Sequence, residues 1–531
     1  MTTLLFFFYI KLLLKAGVTV NEQNMSQKWP IFLLTVAVFM AGLDNGIISA
    51  ALTTIYHSFH VSPTWGAWSV TIYTLGVATA VPIIGKLSDN YGRKKLFLIE
   101  IVLFGIGSLL VAMSPNFIFL LVARFIQAIG GGGLFIIATS YVLATLPKKQ
   151  QGKVLGLIGG MHGLSAVVGP NIGAVILHIT GAWQWLFLIN IPIAIFIFFA
   201  AISNMKETKQ PTNQPLDLKG AIYLTLAIIA VMYAITNIDR FHISSMLQVS
   251  VLPYLLAGIL LIIFFFQHEK KLEQAGGDPI IAYSILQNRK FQLTLLLGFL
   301  AGGFLATIIF IPSYVQQVLQ VPAESAGFWL TPLALSAGVG SGLGGYLTDK
   351  IGSLRTIMIA GMIGFTGFFM FYTVVQNFST FLIASSLAGI GLGFLIGAPL
   401  NVLAGESTKK NQYGTSIGTL SLSRQIGMTI FPTIFGSFIT TGVIKIEPTF
   451  QAVFGEKVIS FDGVEDGEGY GQIIAEIEKI EDPYLQNQLL EITANVMNSG
   501  FQQMFMLAMG ISVVVLLITI FIQIKNKNTA P

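Results

Sequence analysis

An acidic and a basic residue lie inside long apolar runs of this chain, where an ionised side chain is costly. Asp44 falls about halfway along the run 31–55, and Arg124 lies within the run 117–144. A desolvated carboxylate binds a proton and releases it when water or a positive charge approaches, whereas an arginine keeps its charge. The pair therefore predicts proton-coupled exchange, in which a proton, a substrate and Arg124 compete for Asp44. The alternative is a static ion pair that only stabilises the fold.

Four further polar residues lie within apolar runs and are candidates for a cavity inside the membrane. Arg424 and Gln425 are adjacent in the run 415–441, and a charge at that depth must face a cavity or an acid. His162 is a candidate proton relay, with a histidine bonded inside a helix interface as the alternative. Glu100 lies only a turn or so from a basic loop, so an ion pair with a lysine at the membrane surface is the alternative to a functional role.

Two distant segments, 85–93 and 345–353, have nearly the same sequence. A glycine, a leucine, an acid and a second glycine recur with identical spacing, which indicates two related halves. The candidate gating residues are Gly85, Asp89, Gly92 and Arg93 in the first copy and Gly345 and Asp349 in the second.

The chemistry of this repeat predicts a latch between helices. Gly85 lets two helices approach closely, and Asp89 can meet the positive N-terminal end of a neighbouring helix or Arg93. Such a latch closes the cytoplasmic side of the protein. In the second copy Ser353 replaces the arginine, so the latch at Asp349 should be weaker. The alternative is a basic loop that only orients the chain in the membrane.

Composition defines the class of protein. Hydrophobic residues make up 54% of the 531 residues, charged residues only 10%, and the mean hydropathy is +0.77. These values exclude a soluble protein. The chain has no cysteine, which excludes disulfides and thiolate metal sites, and its +5 net charge comes from basic residues in short loops rather than from a nucleic-acid surface.

The apolar runs predict an all-α integral membrane protein with fourteen transmembrane helices, arranged as two pseudo-symmetric six-helix bundles and two inserted helices. The N-terminal bundle covers 25–203, the linkers and inserted helices cover 204–290, and the C-terminal bundle covers 291–531. The predicted spans are 31–55, 64–85, 96–113, 117–144, 154–179, 185–203, 218–237, 249–267, 291–318, 325–347, 356–375, 380–404, 415–441 and 502–524.

Basic residues fall on alternate loops, which predicts a multi-pass protein of the cell membrane with both termini in the cytoplasm. Segment 1–24 reads as a non-essential extension, with Met25 as the expected native start. The acidic segment 443–500 is predicted to form an extracellular helical hairpin. Two interpretations of this hairpin are equally favoured: it acts in gating or in attracting cations, or it is a solvated loop that the fold merely tolerates.

Gly169 and Pro170 lie within the fifth span, where proline removes a backbone hydrogen bond and glycine lets a partner helix press in. A bend at this point suits a transporter that rocks between two open states. Glycine-rich strings such as 130–133 and 338–345 lack the strand context of phosphate-binding loops and are interpreted as helix contacts.

Five segments in order resemble the major facilitator superfamily, specifically its fourteen-helix drug/proton antiporter branch, which includes quaternary-ammonium exporters. They are 43–52 with Asp44, 85–93, 124–130 with Arg124, 169–174 with Gly169, Pro170 and Gly173 of the antiporter motif, and 183–192. The chain departs from the family pattern at Ser165, Ala174 and Gln184, which weakens a direct transfer of antiporter behaviour.

The resemblance implies a proton-coupled exporter of amphipathic, in some relatives cationic, drugs. The expected partners are a small substrate, protons and membrane lipid, and a monomer is expected. The main alternative is a lipid or glycolipid flippase on the same fold; a membrane sensor or an integral-membrane enzyme is a weaker one. No ATPase motif, metal-ligand cluster or nucleophile with a base is visible, so the sequence predicts neither an enzyme nor a cofactor.

Overall fold

The computed structural model describes residues 25–208, 215–238, 247–454 and 469–528, and the regular elements in these ranges are helices. The expectation for segment 1–24 lies outside the described residues. The long helices are α1 Met25–Ser58, α2 Pro63–Tyr91, α3 Arg93–Ala112, α4 Phe117–Thr145, α5 Lys148–Thr180, α6 Asn190–Asn204, α7 Leu218–Thr236, α8 Leu252–Gln274, α9 Arg289–Gln317, α10 Leu330–Ile351, α11 Ser353–Thr373, α12 Phe378–Ile396, α13 Tyr413–Phe454 and α14 Pro483–Asn528.

Short helical segments lie between some of these helices. Trp185–Leu188 precedes α6, Tyr283–Gln287 precedes α9, Ala323–Ala326 and Gly327–Trp329 precede α10, Ala398–Glu406 continues from α12, Lys410–Gln412 precedes α13 and Gly469–Glu478 precedes α14.

Twelve of the described helices are long and apolar enough to cross a membrane, or thirteen if the bent helix α5 counts as one span. Helix α10 is not apolar enough to be counted as a span. Its glycines, which include Gly338, Gly340, Gly344 and Gly345, lower its mean hydropathy. The all-helical, multi-pass membrane architecture is therefore confirmed, whereas the count of fourteen spans stays a prediction. The bend in α5 is 43° and falls between Ser165 and Val168, directly before the Gly169–Pro170 pair.

Helices α1 to α6 and α9 to α14 form two halves that meet along two pairs of helices. Helix α2 packs against α13, and α5 packs against α10. At both crossings the backbones nearly touch: a Cβ atom on Gly85 would lie 2.3 Å from the carbonyl oxygen of Gly414, and one on Gly345 would lie 2.3 Å from that of Gly152. Only glycine permits this approach. Both crossings lie near the basic end, defined here as the end that carries loops 86–95, 148–153 and 409–410.

The inserted helices α7 and α8 pack against each other, and α7 also contacts α2 and α13. Apolar side chains such as Leu75, Leu224 and Phe265 fill this contact. At the basic end Asp278 forms an ion pair with Lys86 and accepts a hydrogen bond from Asn90 Nδ2 at 2.6 Å. The inserted pair is thus attached to the first half through the segment that carries the repeat.

The predicted hairpin is largely an extension of two spanning helices. Helix α13 continues to Phe454 and α14 already begins at Pro483, beyond the predicted spans 415–441 and 502–524. Between them, Ile473 and Ile477 of the short helix Gly469–Glu478 are fully buried. The helices extend because their apolar stripe continues past the membrane and packs on the second half. Segment 455–468 of the predicted hairpin lies outside the described residues.

Candidate functional site

Asp44 and Arg124 meet in the interior of the first half. Helix α1 supplies Asp44, helix α4 supplies Arg124, and Arg124 Nη1 lies 2.6 Å from Asp44 Oδ2. Their side chains are 1% and 0% exposed, so the pair is sealed from solvent. Two such charges are stable at this depth only when each has a partner and further hydrogen bonds.

Three neutral side chains complete the cluster around Asp44. Gln127 Nε2 and Asn190 Nδ2 donate to Asp44 Oδ1 at 2.8 and 3.1 Å, and both amides also donate to Ser108 Oγ, at 2.8 and 3.4 Å. The sequence analysis did not single out Gln127 and Asn190 as site residues, because neutral amides are common at helix contacts. One signal was available for Gln127, since it lies three residues after Arg124 and so on the same helix face.

The guanidinium of Arg124 links this cluster to its surroundings. Its Cζ atom lies 4.2 Å from the centroid of the Tyr73 ring, and Nη1 also donates to Gln127 Oε1 at 2.7 Å. Arg124 Nη2 and Asn190 Oδ1 are buried without a hydrogen-bond partner among the described protein atoms. Because unpaired buried polar atoms are costly, this network is easier to rearrange than a fully satisfied one.

A cavity of about 710 Å³ lies between the two halves. It extends from the middle of the bundle toward the end opposite the basic end, past Thr74 and Asn171 of the first half and Thr331 of the second. Below it, the close crossings at Gly85 and Gly345 seal the basic end. Asp44 and Arg124 are not among the lining residues, whereas Tyr73 is and contacts Arg124 from the other side.

The structure separates the four candidate cavity residues. His162, Arg424 and Gln425 line the cavity, with His162 on α5 and the other two on α13. Glu100 does not. It is buried between α3 and α4 against Gly133, where a Cβ atom would lie 2.3 Å from Glu100 Oε2. The sequence could not show which way α3 is rotated, and this rotation directs Glu100 away from the cavity.

The antiporter-motif residues on α5 serve two different contacts. A Cβ atom on Gly169 would lie 2.6 Å from the Cα atom of Gly46, so this glycine permits close packing of α5 on α1. Pro170 lines the cavity, and Gly173 is buried one turn further along. The bend therefore shapes the cavity wall and brings α1, the helix of Asp44, close to α5.

The Asp89 carboxylate joins the two halves at the basic end. It accepts hydrogen bonds from the backbone N–H groups of Gly414 and Thr415 at 2.9 and 2.8 Å, in the first turn of α13, and from Thr415 Oγ1 at 3.2 Å. Arg93 Nη2 donates to Asp89 Oδ1 at 2.6 Å. A carboxylate at a helix N-terminus is stabilised by the helix dipole and by otherwise unpaired N–H groups.

The second copy of the repeat makes the corresponding contact in the opposite direction. Asp349 of the second half accepts from the backbone N–H groups of Gly152 and Lys153, both at 2.7 Å, in the first turns of α5 in the first half. Ser353, which stands where the first copy has arginine, donates to Glu406 at 3.4 Å instead. The two contacts are thus related by the pseudo-symmetry, and the second lacks the neighbouring guanidinium.

Gly92 has a conformational role at the start of α3. Its φ of +100° strongly favours glycine. A Cβ atom there would lie 2.3 Å from Glu207 Oε1, whose carboxylate accepts from the N–H groups of Lys94 and Lys95 at 3.2 and 3.0 Å. Gly92 therefore lets the linker after α6 cap α3.

Comparisons with known proteins agree with this architecture. A family model described as Major Facilitator Superfamily matches residues 34–432. The chain is 50% identical over 500 residues to the Uncharacterized MFS-type transporter YfiU of Bacillus subtilis (strain 168). This alignment covers 93% of this chain and 96% of that relative. The chain is 31% identical over 526 residues to Multidrug resistance protein 3 of the same organism. This alignment covers 96% of this chain and 97% of that relative.

Among solved structures, the proton:xylose symporter XylE aligns with a TM-score of 0.54 at 13% identity, covering 88% of this chain and 94% of that chain. This likeness shows the fold alone. The resemblance inferred from the sequence motifs is confirmed by the family model and by the relative named Multidrug resistance protein 3. The chain belongs to the Major Facilitator Superfamily of membrane transporters.

Proposed function

We propose that this protein is a proton-coupled secondary transporter, and not an enzyme, which exports small amphipathic molecules across the cytoplasmic membrane. The observation that carries the proposal is the buried Asp44–Arg124 pair, which is connected through Tyr73 to a cavity between the halves. The relative named Multidrug resistance protein 3 supports the substrate class. The basic end is the cytoplasmic end, both termini are cytoplasmic, and α10 completes a set of fourteen spans.

In this proposal the structure corresponds to the state that is closed to the cytoplasm. The contacts of Asp89 and Asp349 hold the basic end shut, and the cavity extends toward the outside. Release of substrate outward leaves the cavity free, and a proton then reaches Asp44. Opening of the cytoplasmic side requires that Asp89 leaves the first turn of α13 and that Asp349 leaves the N–H groups of Gly152 and Lys153 in α5.

Protonation of Asp44 is the step that joins proton entry to this movement. A neutral carboxyl attracts Arg124 far less than a carboxylate does, so the guanidinium is free to move. Because the guanidinium lies against the Tyr73 ring, its movement alters the cavity wall. The proton is thus sensed without direct contact between Asp44 and the substrate.

Energised inverted membrane vesicles test this function. In such vesicles the cytoplasmic face is outside, so export appears as dye accumulation in the lumen. We expect vesicles that contain the protein to accumulate a dye from a panel of anionic, neutral and cationic amphipathic fluorophores, ethidium included, and to lose the accumulated dye when a protonophore collapses the gradient. Accumulation that persists without the gradient would rule out proton coupling, and an absence of accumulation across the panel would contradict drug export.

A further inference from the structure

Among the described residues that line the cavity, Arg424 is the side chain with a fixed charge, and that charge is positive. No aspartate or glutamate is among these lining residues, and the imidazole of His162 also lines the cavity. Asp44 does not line the cavity and is already paired with Arg124. A cation in the cavity would therefore meet no opposite charge, which is unfavourable in a site of low dielectric constant.

Arg424 has no carboxylate partner in the described part of the chain. Its Nη2 atom donates to Ser421 Oγ at 3.2 Å, and its Cζ atom lies 5.6 Å from the centroid of the Phe135 ring. A guanidinium carries five N–H donors and does not give up its charge in proteins. Most of its capacity to bind an anion is thus unused.

Phe135 lies next to both Arg424 and the His162 imidazole. The His162 ring lies 5.4 Å from the Phe135 ring, centroid to centroid, on the same wall that Arg424 covers. Apolar side chains such as Val77, Leu305 and Met428 line other parts of the cavity. The volume of about 710 Å³ is in the range that holds drug-sized molecules. One end of a bound molecule meets positive charge, and the remainder meets aromatic and aliphatic groups.

We propose that the cavity binds amphipathic organic anions, whose acidic oxygens accept hydrogen bonds from Arg424 and whose apolar body lies against Phe135 and the aliphatic lining. This assignment rests on the proposed transport function and names its substrate class. The anionic group belongs either to a soluble organic acid or to a lipid head group. Export of an anion also runs with the inside-negative membrane potential, which adds driving force to proton entry.

A matched pair of probes tests the assignment by binding to the purified protein in detergent. Dansylate carries a sulfonate, and dansylamide has the same ring system with a neutral sulfonamide. We expect wild type to bind dansylate more tightly than dansylamide. In Arg424→Gln, dansylate affinity should fall about ten- to a hundred-fold, the value of a hydrogen bond to a charged group, with dansylamide affinity little changed.

Two further variants act as controls. Arg424→Lys keeps the charge and should retain most of the dansylate preference. Arg355→Gln removes an arginine that is exposed at the basic end, away from the cavity, and should bind like wild type. The assignment is overturned if wild type binds dansylate and dansylamide equally well, or if it binds ethidium more tightly than dansylate. These outcomes are measured on wild type alone, so they do not depend on whether a variant folds. An equal loss of both dansyl probes in Arg424→Gln also overturns it.

Nanodiscs distinguish the two sources of the anion. If the natural ligand is a soluble acid, dansylate affinity is the same in phosphatidylcholine nanodiscs with and without phosphatidylglycerol. If phosphatidylglycerol lowers dansylate affinity in wild type but not in Arg424→Gln, the anion is a lipid head group. Binding is measured without a gradient, so it is independent of transport. A preference for anions in binding, with no gradient-driven transport, would contradict only the transport proposal. Gradient-driven transport of cations alone would contradict only the anion assignment.

Discussion

Asp44→Asn is expected to reduce gradient-driven transport to the level of vesicles without the protein. Asparagine accepts hydrogen bonds from Gln127 and Asn190 but cannot take up a proton, so the proposed coupling step is lost. It also leaves Arg124 buried without a counter-charge, which should cost about 3–5 kcal/mol of unfolding free energy. Transport in energised vesicles and thermal unfolding in detergent measure the two effects.

A double variant separates loss of coupling from loss of stability. Asp44→Asn combined with Arg124→Gln replaces the ion pair with neutral hydrogen-bonding groups and should recover most of the lost stability, because removal of both buried charges is often close to neutral. Driven transport should stay absent in the double variant. Gradient-dependent transport at the wild-type rate in either variant would show that the proton binds elsewhere.

Asp89→Asn is expected to shift the protein toward a state that is open at the basic end. The substitution removes the charge that binds Arg93 and the N-terminus of α13, and its amide N–H₂ group faces N–H donors. Loss of a charged hydrogen bond costs about 1.5–3 kcal/mol, which corresponds to about a ten- to hundred-fold change in the closed-to-open equilibrium. Electron-spin distance measurements between labels on Tyr91→Cys and Asn411→Cys should show a larger population of long distances.

The chain suits this measurement, because it contains no cysteine that would take up label elsewhere. Asp349→Asn should have a smaller effect on the corresponding label pair Lys149→Cys and Lys350→Cys, since Asp349 has no arginine counterpart to Arg93. Thr415→Val removes only the 3.2 Å hydroxyl contact and is the mildest control. An unchanged distance distribution in Asp89→Asn would remove the carboxylate from the gating mechanism.

The pairing of Asp44 with Arg124 could be predicted from the sequence, because each charge is so costly within an apolar run that it must find a partner. The approach of helices at Gly85 follows from its position in a repeated segment at the end of an apolar run. The neutral partners Gln127 and Asn190 carry no comparable cost; the spacing of Gln127 from Arg124 is a weak signal, and the sequence gives none for Asn190. Such partners become visible only when three helices are packed together.

Other differences have the same origin in tertiary packing. Hydropathy does not reveal how far α13 and α14 extend, because their outer turns pack on each other, as at Gly442 against Met497 and at Gly500 against Phe438. The orientation of Glu100 toward Gly133 depends on the rotation of α3. The tie between Lys86 and Asp278 joins residues that are distant in sequence, and short-range patterns contain no information about it.

Proton movement that accompanies substrate movement is the most direct test of the proposed mechanism. Wild-type protein is placed in liposomes that have an acidic lumen and contain a pH-sensitive dye, and dansylate is added outside. The sulfonate of dansylate stays ionised, so the probe itself carries no protons across the membrane. Proton-coupled exchange predicts that the lumen becomes less acidic faster with dansylate than with buffer, and that Asp44→Asn abolishes this difference. Dansylate uptake with no change in lumen pH would contradict proton coupling.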